Sequence, residues 1–98
     1  MPLTKAATRA LSATLFGNEK MAEVIFVLAT ESPATAQEIS KKTGISYPLA
    51  RDVLLRLQKG GLLTSARTGG SRSPLLYDPV DEAYWHAAVA LARAILDA

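Results

Sequence analysis

The chain has 98 residues, 49% of them hydrophobic, which is enough for one domain with a single core. It has no cysteine, so a disulfide scaffold, a thiolate metal site and a cysteine nucleophile are excluded. The net charge is only +2, but residues 41–72 hold seven basic residues against one acidic residue, while the remainder holds four against eight. This uneven distribution favours a polyanionic partner, and a solvated basic face is the alternative.

Targeting and membrane signals are the next feature to consider. No stretch resembles a signal peptide, and no apolar run approaches the length of a membrane span. We therefore expect a soluble cytoplasmic protein with no membrane partner.

Two helices are predicted before residue 30. The first covers 3–15 and carries one modest apolar stripe, formed by Leu3, Ala7, Ala10, Leu11 and Leu15. Because this stripe has little bulk, we expect it to pack against another helix of the same chain or of a partner. Asn18 can cap the second helix, which runs to about Ala29. Its inward stripe predicts a mostly buried central helix and consists of Met21, Val24, Ile25 and Leu28.

Residues 35–61 have the pattern of two short helices joined by a tight turn. Thr35 and Glu38 match a capping box at the start of the first helix. Gly44 suits the left-handed residue that ends it. Ser46 can cap the second helix, with Pro48 in its first turn. The sequence therefore predicts a helix-turn-helix, whose second helix enters a DNA major groove; a plain helical hairpin in a larger bundle is the alternative.

The second of these helices predicts a buried stripe at helical spacing, made of Ala50, Val53, Leu54 and Leu57. After Gly60 and Gly61 the periodicity changes. Strands are predicted over 62–67 and 74–78, around a loop that contains two glycines and has Arg67 and Arg72 at its sides. A basic hairpin after a helix-turn-helix is typical of a winged helix. The alternative is a surface hairpin whose arginines only keep it soluble.

A last helix is predicted over 79–96, with Asp78 as its cap and Pro79 at its first position. Two apolar stripes lie side by side on it, and one carries the large Trp85. Two apolar faces favour burial against another chain, and we expect a two-fold homodimer. A helix wedged between others of its own domain is the alternative. The residues predicted at the dimer interface are Leu3, Leu11, Tyr84, Trp85, Val89, Ala92 and Leu96.

Residues from about 17 to 96 resemble the winged-helix transcription regulators of the ArsR and MarR type, through the two helices of 35–61 and the loop of 67–72. The resemblance implies a mainly α fold with a small β-hairpin, in the order α-α-α-α-β-β-α. It further implies one winged-helix DNA-binding domain over 1–98, with 1–15 and 79–98 as dimerisation helices. Members of that group are dimeric bacterial or archaeal repressors and activators.

The resemblance also implies a binding mode for double-stranded DNA. The recognition helix, about 46–59, enters the major groove, and the wing, about 67–73, lies near the flanking backbone or minor groove. Arg51 is the best candidate for reading guanine, and Leu49 could touch a thymine methyl. The other implied DNA contacts come from hydroxyl, proline and basic side chains, and they are Lys41, Lys42, Ser46, Tyr47, Pro48, Arg56, Arg67, Ser71 and Arg72. We expect the recognition helix and the wing to form one cationic surface.

Two residues depart from that pattern. A carboxylate at Asp52 repels phosphate, and Leu55 is apolar on a face that should meet DNA or water. Because of these two residues, a second interpretation is that the chain binds another regulatory protein and acts as an accessory or anti-repressor subunit. A DNA-organising or plasmid-partition protein is a third interpretation, because it uses the same chemistry.

An enzyme is the class that the sequence supports least. The lone histidine, His86, lies on a predicted polar stripe, and no glycine-rich loop follows a strand and opens a helix. Glu82 and His86 are four apart on a helix and could share an ion, but a surface pair is the better interpretation. We therefore expect no enzymatic activity, no metal site and no cofactor.

Overall fold

The computed structural model describes residues 4–67, 69 and 73–97. Its elements are α1 (Lys5–Phe16), α2 (Met21–Glu31), α3 (Ala36–Thr43), α4 (Tyr47–Lys59), β1 (Leu63–Ala66), β2 (Leu76–Pro79) and α5 (Ala83–Leu96). The predicted order, α-α-α-α-β-β-α with one small hairpin, is therefore confirmed. Three residues of the predicted sites, Leu3, Ser71 and Arg72, lie outside the described residues.

Helix α2 is the centre of the fold, because it packs against each of the other four helices. Val24, Ile25 and Leu28 are almost fully buried on its inward stripe, as predicted. Its start was predicted too early. The side chain of Asn18 accepts a hydrogen bond from the Lys20 N–H at 2.8 Å, so it stabilises the turn before the helix instead of capping it.

Helix α1 packs on the core through polar residues, and its apolar stripe faces outward. Thr8 and Ser12 are buried, whereas Leu11 and Leu15 are 37% and 50% exposed. The reason lies in Ser12, whose hydroxyl donates to the Asn18 carbonyl at 2.7 Å and accepts from the Ala22 N–H at 3.0 Å. These two bonds join α1 to the first turn of α2, and they turn the apolar stripe away from the chain's own core.

The turn between α3 and α4 follows the prediction closely. The Thr35 hydroxyl accepts from the Glu38 N–H at 3.2 Å, and the Glu38 carboxylate accepts from the Thr35 N–H at 3.1 Å. Gly44 ends α3 with a φ of 74°, a left-handed conformation that side chains disfavour. Ser46 precedes α4 in an extended conformation, although its side chain makes no capping hydrogen bond to the described backbone of that helix.

The chain leaves α4 through a second left-handed glycine. Gly61 has a φ of 82°, and its N–H donates to the Gln58 carbonyl at 3.0 Å. The next N–H, that of Leu62, reaches back to the Leu57 carbonyl at 2.9 Å. This pair of bonds is a Schellman motif, which satisfies the last carbonyls of α4 and directs the chain into β1.

Strands β1 and β2 form an antiparallel pair with Ala66 opposite Leu76 and Leu63 opposite Pro79. We call this hairpin and the residues between its strands the wing. Ala34, which lies before α3, also joins the pairing. Ala34 exchanges two main-chain hydrogen bonds with Tyr77, of 3.1 and 2.8 Å, and Tyr77 is buried. The wing is thereby attached to the segment that leads into α3.

Helix α5 differs from the prediction in where it begins and in what it covers. Asp78 and Pro79 belong to β2, where they pair with Thr64 and Leu63, so neither starts the helix. Helix α5 then packs along α2. Trp85 is 5% exposed and Ala92 is 0% exposed in the single chain. Both residues were predicted at a dimer interface, and neighbours within the chain already cover them, so they offer little surface for such a contact.

Candidate nucleic-acid interface

The exposed surface of α4 is arranged around its buried stripe. Ala50, Val53, Leu54 and Leu57 are buried. At 100° per residue, the residues that point within roughly 30° of the opposite direction form what we call the groove face: Pro48, Asp52, Leu55 and Lys59. Arg51 and Arg56 each lie roughly 110° from the middle of the buried stripe, on opposite sides of it. The groove face therefore has one arginine on each flank.

One flank of α4 meets the wing in an open cleft of about 340 Å³, which we call the wing-side cleft. Arg51 from α4 and Arg67 from the end of β1 both line it. The Arg67 Nε donates to the Ser73 carbonyl at 3.0 Å, which holds this side chain across the base of the wing. The other lining residues are Thr35, Ala36, Gln37, Tyr47, Ser73, Pro74, Leu75 and Tyr77.

The start of α3 contributes to the same cleft, a feature that the sequence analysis did not assign to the site. Thr35, Ala36 and Gln37 are the cap and the first two residues of that helix; the Thr35 N–H is bonded to the Glu38 carboxylate, whereas the N–H groups of Ala36 and Gln37 have no partner within the helix. Two guanidinium groups and a helix N-terminus make the wing-side cleft suitable for a phosphate oxygen. The capping box at Thr35 was the signal that could have identified it.

The other flank of α4 meets the turn between α1 and α2 in a hollow of about 240 Å³. Leu49, Asp52 and Arg56 line it from α4, together with Asn18, Glu19 and Lys20 from the turn. Arg51 therefore shares a cleft with the wing, whereas Arg56 lines a different cavity. The structure therefore does not bring the predicted basic residues onto one cationic surface: Arg51 and Arg67 share the wing-side cleft, whereas Arg56 and Lys20 line a hollow that also contains Asp52 and Glu19.

The remaining predicted DNA contacts are all exposed where the structure describes them. Ser46, Pro48 and Lys41 belong to this group, as do Tyr47 and Leu49, which are 48% and 46% exposed. Lys42 is different because its ammonium lies 2.9 Å from the Glu31 carboxylate. The hydrogen bond to Glu31 and the attraction of its charge raise the pKa of Lys42, so this lysine is charged and already paired within the chain.

The predicted dimer residues fall into three groups. Trp85 and Ala92 are buried in the chain's own core, and Val89 and Leu96 are half-buried. Leu11 is exposed on α1. Tyr84 is 51% exposed, and its hydroxyl donates to the Gly61 carbonyl at 3.1 Å. Exposed small residues that the sequence analysis did not single out continue the outer face of α5; they are Ala83, Ala87, Ala90 and Ala94.

His86 is paired with an acidic residue other than the one considered from the sequence. Its Nε2 lies 2.7 Å from the Asp81 carboxylate, and both side chains are exposed. Among residues 4–67, 69 and 73–97, no three histidine or acidic side chains are grouped as metal ligands would be. In the same part of the chain, no helix is long and apolar enough to cross a membrane.

The helix-turn-helix and its wing match a known family. The family model "Sugar-specific transcriptional regulator TrmB" matches residues 18–83, which is more than half of the chain. The chain belongs to the TrmB family. The matched model describes transcriptional regulators, and the predicted relationship to winged-helix regulators is confirmed. A search of curated proteins found no match.

Solved structures similar to this TrmB-family chain are MarR-type and other transcriptional regulators. A variant of ZitR from Lactococcus lactis is 25% identical, with a TM-score of 0.60 over 79% of this chain and 49% of that one. The MarR family regulator SP03579 has a TM-score of 0.71 at 18% identity, over 92% and 58% of the two chains. A predicted DNA-binding regulator from E. coli has a TM-score of 0.64 at 22% identity, over 94% and 90%. This chain therefore spans about half the length of ZitR.

Proposed function

We propose that the chain acts as a homodimer that binds specific double-stranded DNA sites, with α4 in the major groove and the wing beside the flanking backbone. The observation that carries this proposal is the wing-side cleft, which Arg51 of the recognition helix and Arg67 of the wing line together. Two guanidinium groups from separate elements converge there on a space open to solvent. Guanidinium groups bind the acceptors that DNA offers, which are the phosphate oxygens and the O6 and N7 of guanine.

Different roles are proposed for the basic residues. Arg51 lies in the N-terminal half of α4, the part of a recognition helix that reaches base edges, so we assign it to guanine. Tyr47 and Leu49 belong to the same half, and Ser46 directly precedes it. Arg56 comes later in the helix and lies on the opposite flank, so we assign it, with Arg67, to phosphates. Lys41 is a further phosphate ligand, while Lys42 is a weaker candidate because Glu31 already neutralises it.

The dimer is proposed from the apolar residues that the single chain leaves uncovered on two adjoining helices. Leu11 and Leu15 are exposed on α1, and Ala87, Ala90 and Ala94 are exposed on α5. A two-fold contact through these faces would bury them. It would also present two recognition helices to two half-sites of a DNA palindrome.

The proposal is tested by titrating the protein against a pool of duplex DNA at 50 and 200 mM salt. About six phosphate contacts per dimer predict a fall in affinity of about a thousandfold between these conditions. Arg67→Ala should weaken binding to all sequences and reduce the salt slope by about 2 per dimer, since one contact is lost in each subunit. Arg51→Ala should instead relax the preference for guanine at one position of each half-site.

Arg93→Ala is the matched control, because it removes the same charge from an exposed site on α5, outside the wing-side cleft and both flanks of α4. Equal losses for Arg67→Ala and Arg93→Ala would contradict the assignment of the cleft. Binding that does not depend on salt would contradict the DNA-binding proposal itself.

A protein partner remains the second candidate, and a specific observation favours it. Tyr47 and Leu49 are each about half exposed on α4, Tyr47 in the wing-side cleft and Leu49 beside Asp52 on the other flank, and large exposed apolar residues are common in protein interfaces. If a defined protein binds the chain, Tyr47→Ser and Leu49→Ser should abolish that binding. If DNA is the partner, the same variants should reduce DNA affinity. A DNA-organising role would differ from both by footprints much longer than one pair of half-sites.

A further inference from the structure

The carboxylate of Asp52 is the feature of the recognition helix that phosphate binding does not explain. It is exposed on the groove face, and it takes part in no salt bridge or hydrogen bond with the residues that the structure describes. If Asp52 only stabilised the helix, we would expect its carboxylate to form a salt bridge with Arg56, one turn later on the same helix. That pair is not formed. Asp52 is also the sixth residue of α4, too far from its N-terminus to cap it.

The position of Asp52 decides which part of a duplex it would meet. If α4 enters the major groove, as we propose above, its two flanks face the two phosphate walls, and the groove face points to the floor. Arg51 and Arg56 are on the flanks, whereas Asp52 points roughly 150° away from the middle of the buried stripe. The carboxylate is therefore directed at base edges, on the Arg56 side of the groove face, and Arg56, assigned above to a phosphate, lies between it and the nearer phosphate wall.

Base edges differ in whether a carboxylate can bind them. In the major groove, guanine presents the acceptors O6 and N7, and thymine presents the acceptor O4 and a methyl group, so an ionised carboxylate gains nothing at either. Adenine has a donor at N6, but the acceptor N7 lies beside it. Cytosine presents the N4 amino group as a donor, and its neighbour is a C–H. Cytosine is therefore the base that suits an aspartate.

The residues around Asp52 on the groove face strengthen this choice. Pro48 lies one turn before it and Leu55 one turn after it on nearly the same side, and both present hydrocarbon. Hydrocarbon neighbours reduce the access of water to the carboxylate once the face is covered. A hydrogen bond to a charged acceptor is worth more in such surroundings, and leaving the carboxylate unpaired there costs more. The carboxylate would therefore favour cytosine and also disfavour the bases that offer it no donor.

We infer that Asp52 is a specificity-determining residue of this regulator, and that it accepts a hydrogen bond from the N4 amino group of a cytosine in each half-site. This inference rests on the proposed insertion of α4 into the major groove. A side-chain contact of this kind discriminates against the wrong base about 5-fold to 150-fold, and a single aspartate belongs near the lower end of that range.

The experiment selects bound sequences from a random duplex pool with the wild-type chain, Asp52→Asn, Asp52→Ala and Glu19→Gln. Glu19→Gln is the matched control, because Glu19 is an exposed acidic residue that lines the same hollow as Asp52 but lies outside α4, where its carboxylate is 3.0 Å from the Lys20 ammonium. Both Asp52→Asn and Glu19→Gln remove one negative charge, so both should raise the affinity for all sequences by a similar small factor. Circular dichroism shows that each variant is folded.

The inference predicts that the wild type selects cytosine at one position of each half-site by about tenfold, and that Glu19→Gln keeps this preference. Asp52→Ala should lose it, and Asp52→Asn should exchange it for adenine, whose N6 and N7 suit an amide. If the wild type binds DNA with a base preference that both Asp52 variants retain, the inference is overturned and the proposed function stands. If the wild type does not bind DNA, both are overturned.

Discussion

Ser12 has a structural importance that its residue type does not suggest. Its hydroxyl is 1% exposed, and it joins the Asn18 carbonyl to the Ala22 N–H at the start of α2. The first N–H groups of a helix have no partner within the helix, and neither Asn18 nor Lys20 caps α2 with its side chain. Ser12 therefore acts as the cap of α2 from a neighbouring helix.

We expect Ser12→Ala to lower the free energy of unfolding by about 1–3 kcal/mol, because a buried N–H and a buried carbonyl lose their partner. Chemical denaturation monitored by circular dichroism measures this change. Thr14→Ala is the control: its hydroxyl also donates to a carbonyl, that of Ala10, but at an exposed site. A loss for Ser12→Ala no larger than that for Thr14→Ala would show that the bridge contributes little.

For single residues, the sequence predicts hydrogen bonds within one element well and those between elements poorly. The capping box of Thr35 and Glu38 was predictable because both partners lie within one turn of helix. The bond between Ser12 and Ala22 joins two helices, and no spacing rule gives it. Lys42 is a similar case, because its partner Glu31 belongs to another helix. The orientation of Arg51 toward the wing also depends on how far α4 is rotated in the fold.

The turn between α3 and α4 is the element whose geometry matters most for the recognition helix. Gly44 adopts a φ of 74°, and a side chain there would have space, since the nearest atom to an added Cβ is the Lys5 Nζ at 3.8 Å. The cost of Gly44→Ala is therefore the backbone strain alone, about 1–2 kcal/mol of unfolding free energy. Thermal or urea denaturation measures it.

Gly44→Asn provides the comparison, because asparagine tolerates the left-handed conformation better than alanine does. We expect it to lose clearly less stability than Gly44→Ala. If alanine were tolerated as well as asparagine, the left-handed turn would not be required for folding.

The beginning of α5 shows why one element was predicted wrongly. Asp78 followed by Pro79 is a strong local signal for the start of a helix. In the structure both residues continue β2, because Thr64 and Leu63 pair with them. Pro79 has no N–H to donate. An edge strand such as β2 tolerates proline, because the missing N–H need not cost a hydrogen bond of the sheet. Pairing with the preceding strand of the hairpin therefore outweighed the local preference.

The faces of the helices are a second limit at the element scale. Periodicity identified the apolar stripes of α1 and α5 correctly, but it does not say which neighbour covers a stripe. The structure places Trp85 and Ala92 of α5 against the chain's own core and leaves Leu11 and Leu15 of α1 outside. Periodicity therefore made most of the helices predictable. It did not indicate which apolar residues the single chain leaves exposed, so the proposed dimer contact uses a different set.

The proposed dimer gives a prediction for the whole molecule. Leu15 is 50% exposed at the end of α1 and lies on the apolar stripe. Leu15→Glu should convert a species of twice the 10.4 kDa chain mass into a single chain, because the charge would have to be buried in the contact. Analytical ultracentrifugation at micromolar concentration measures the mass.

Ala13→Glu is the matched variant for this experiment, because Ala13 is exposed on another side of the same helix. It should leave the dimer intact. A wild-type chain that sediments as a monomer, or a Leu15→Glu variant that remains dimeric, would contradict the proposed contact.

If the chain binds DNA as proposed, the two main-chain bonds between Ala34 and Tyr77 affect which duplex shapes it accepts. They fasten the base of the wing to the residues just before α3, so the distance between the wing and the recognition helix is set inside the protein. We therefore expect the distance between the wing and the recognition helix to change little when DNA binds. A duplex whose grooves do not match that fixed span must bend or change its groove width, and sequences that deform easily gain an advantage even where no side chain touches a base.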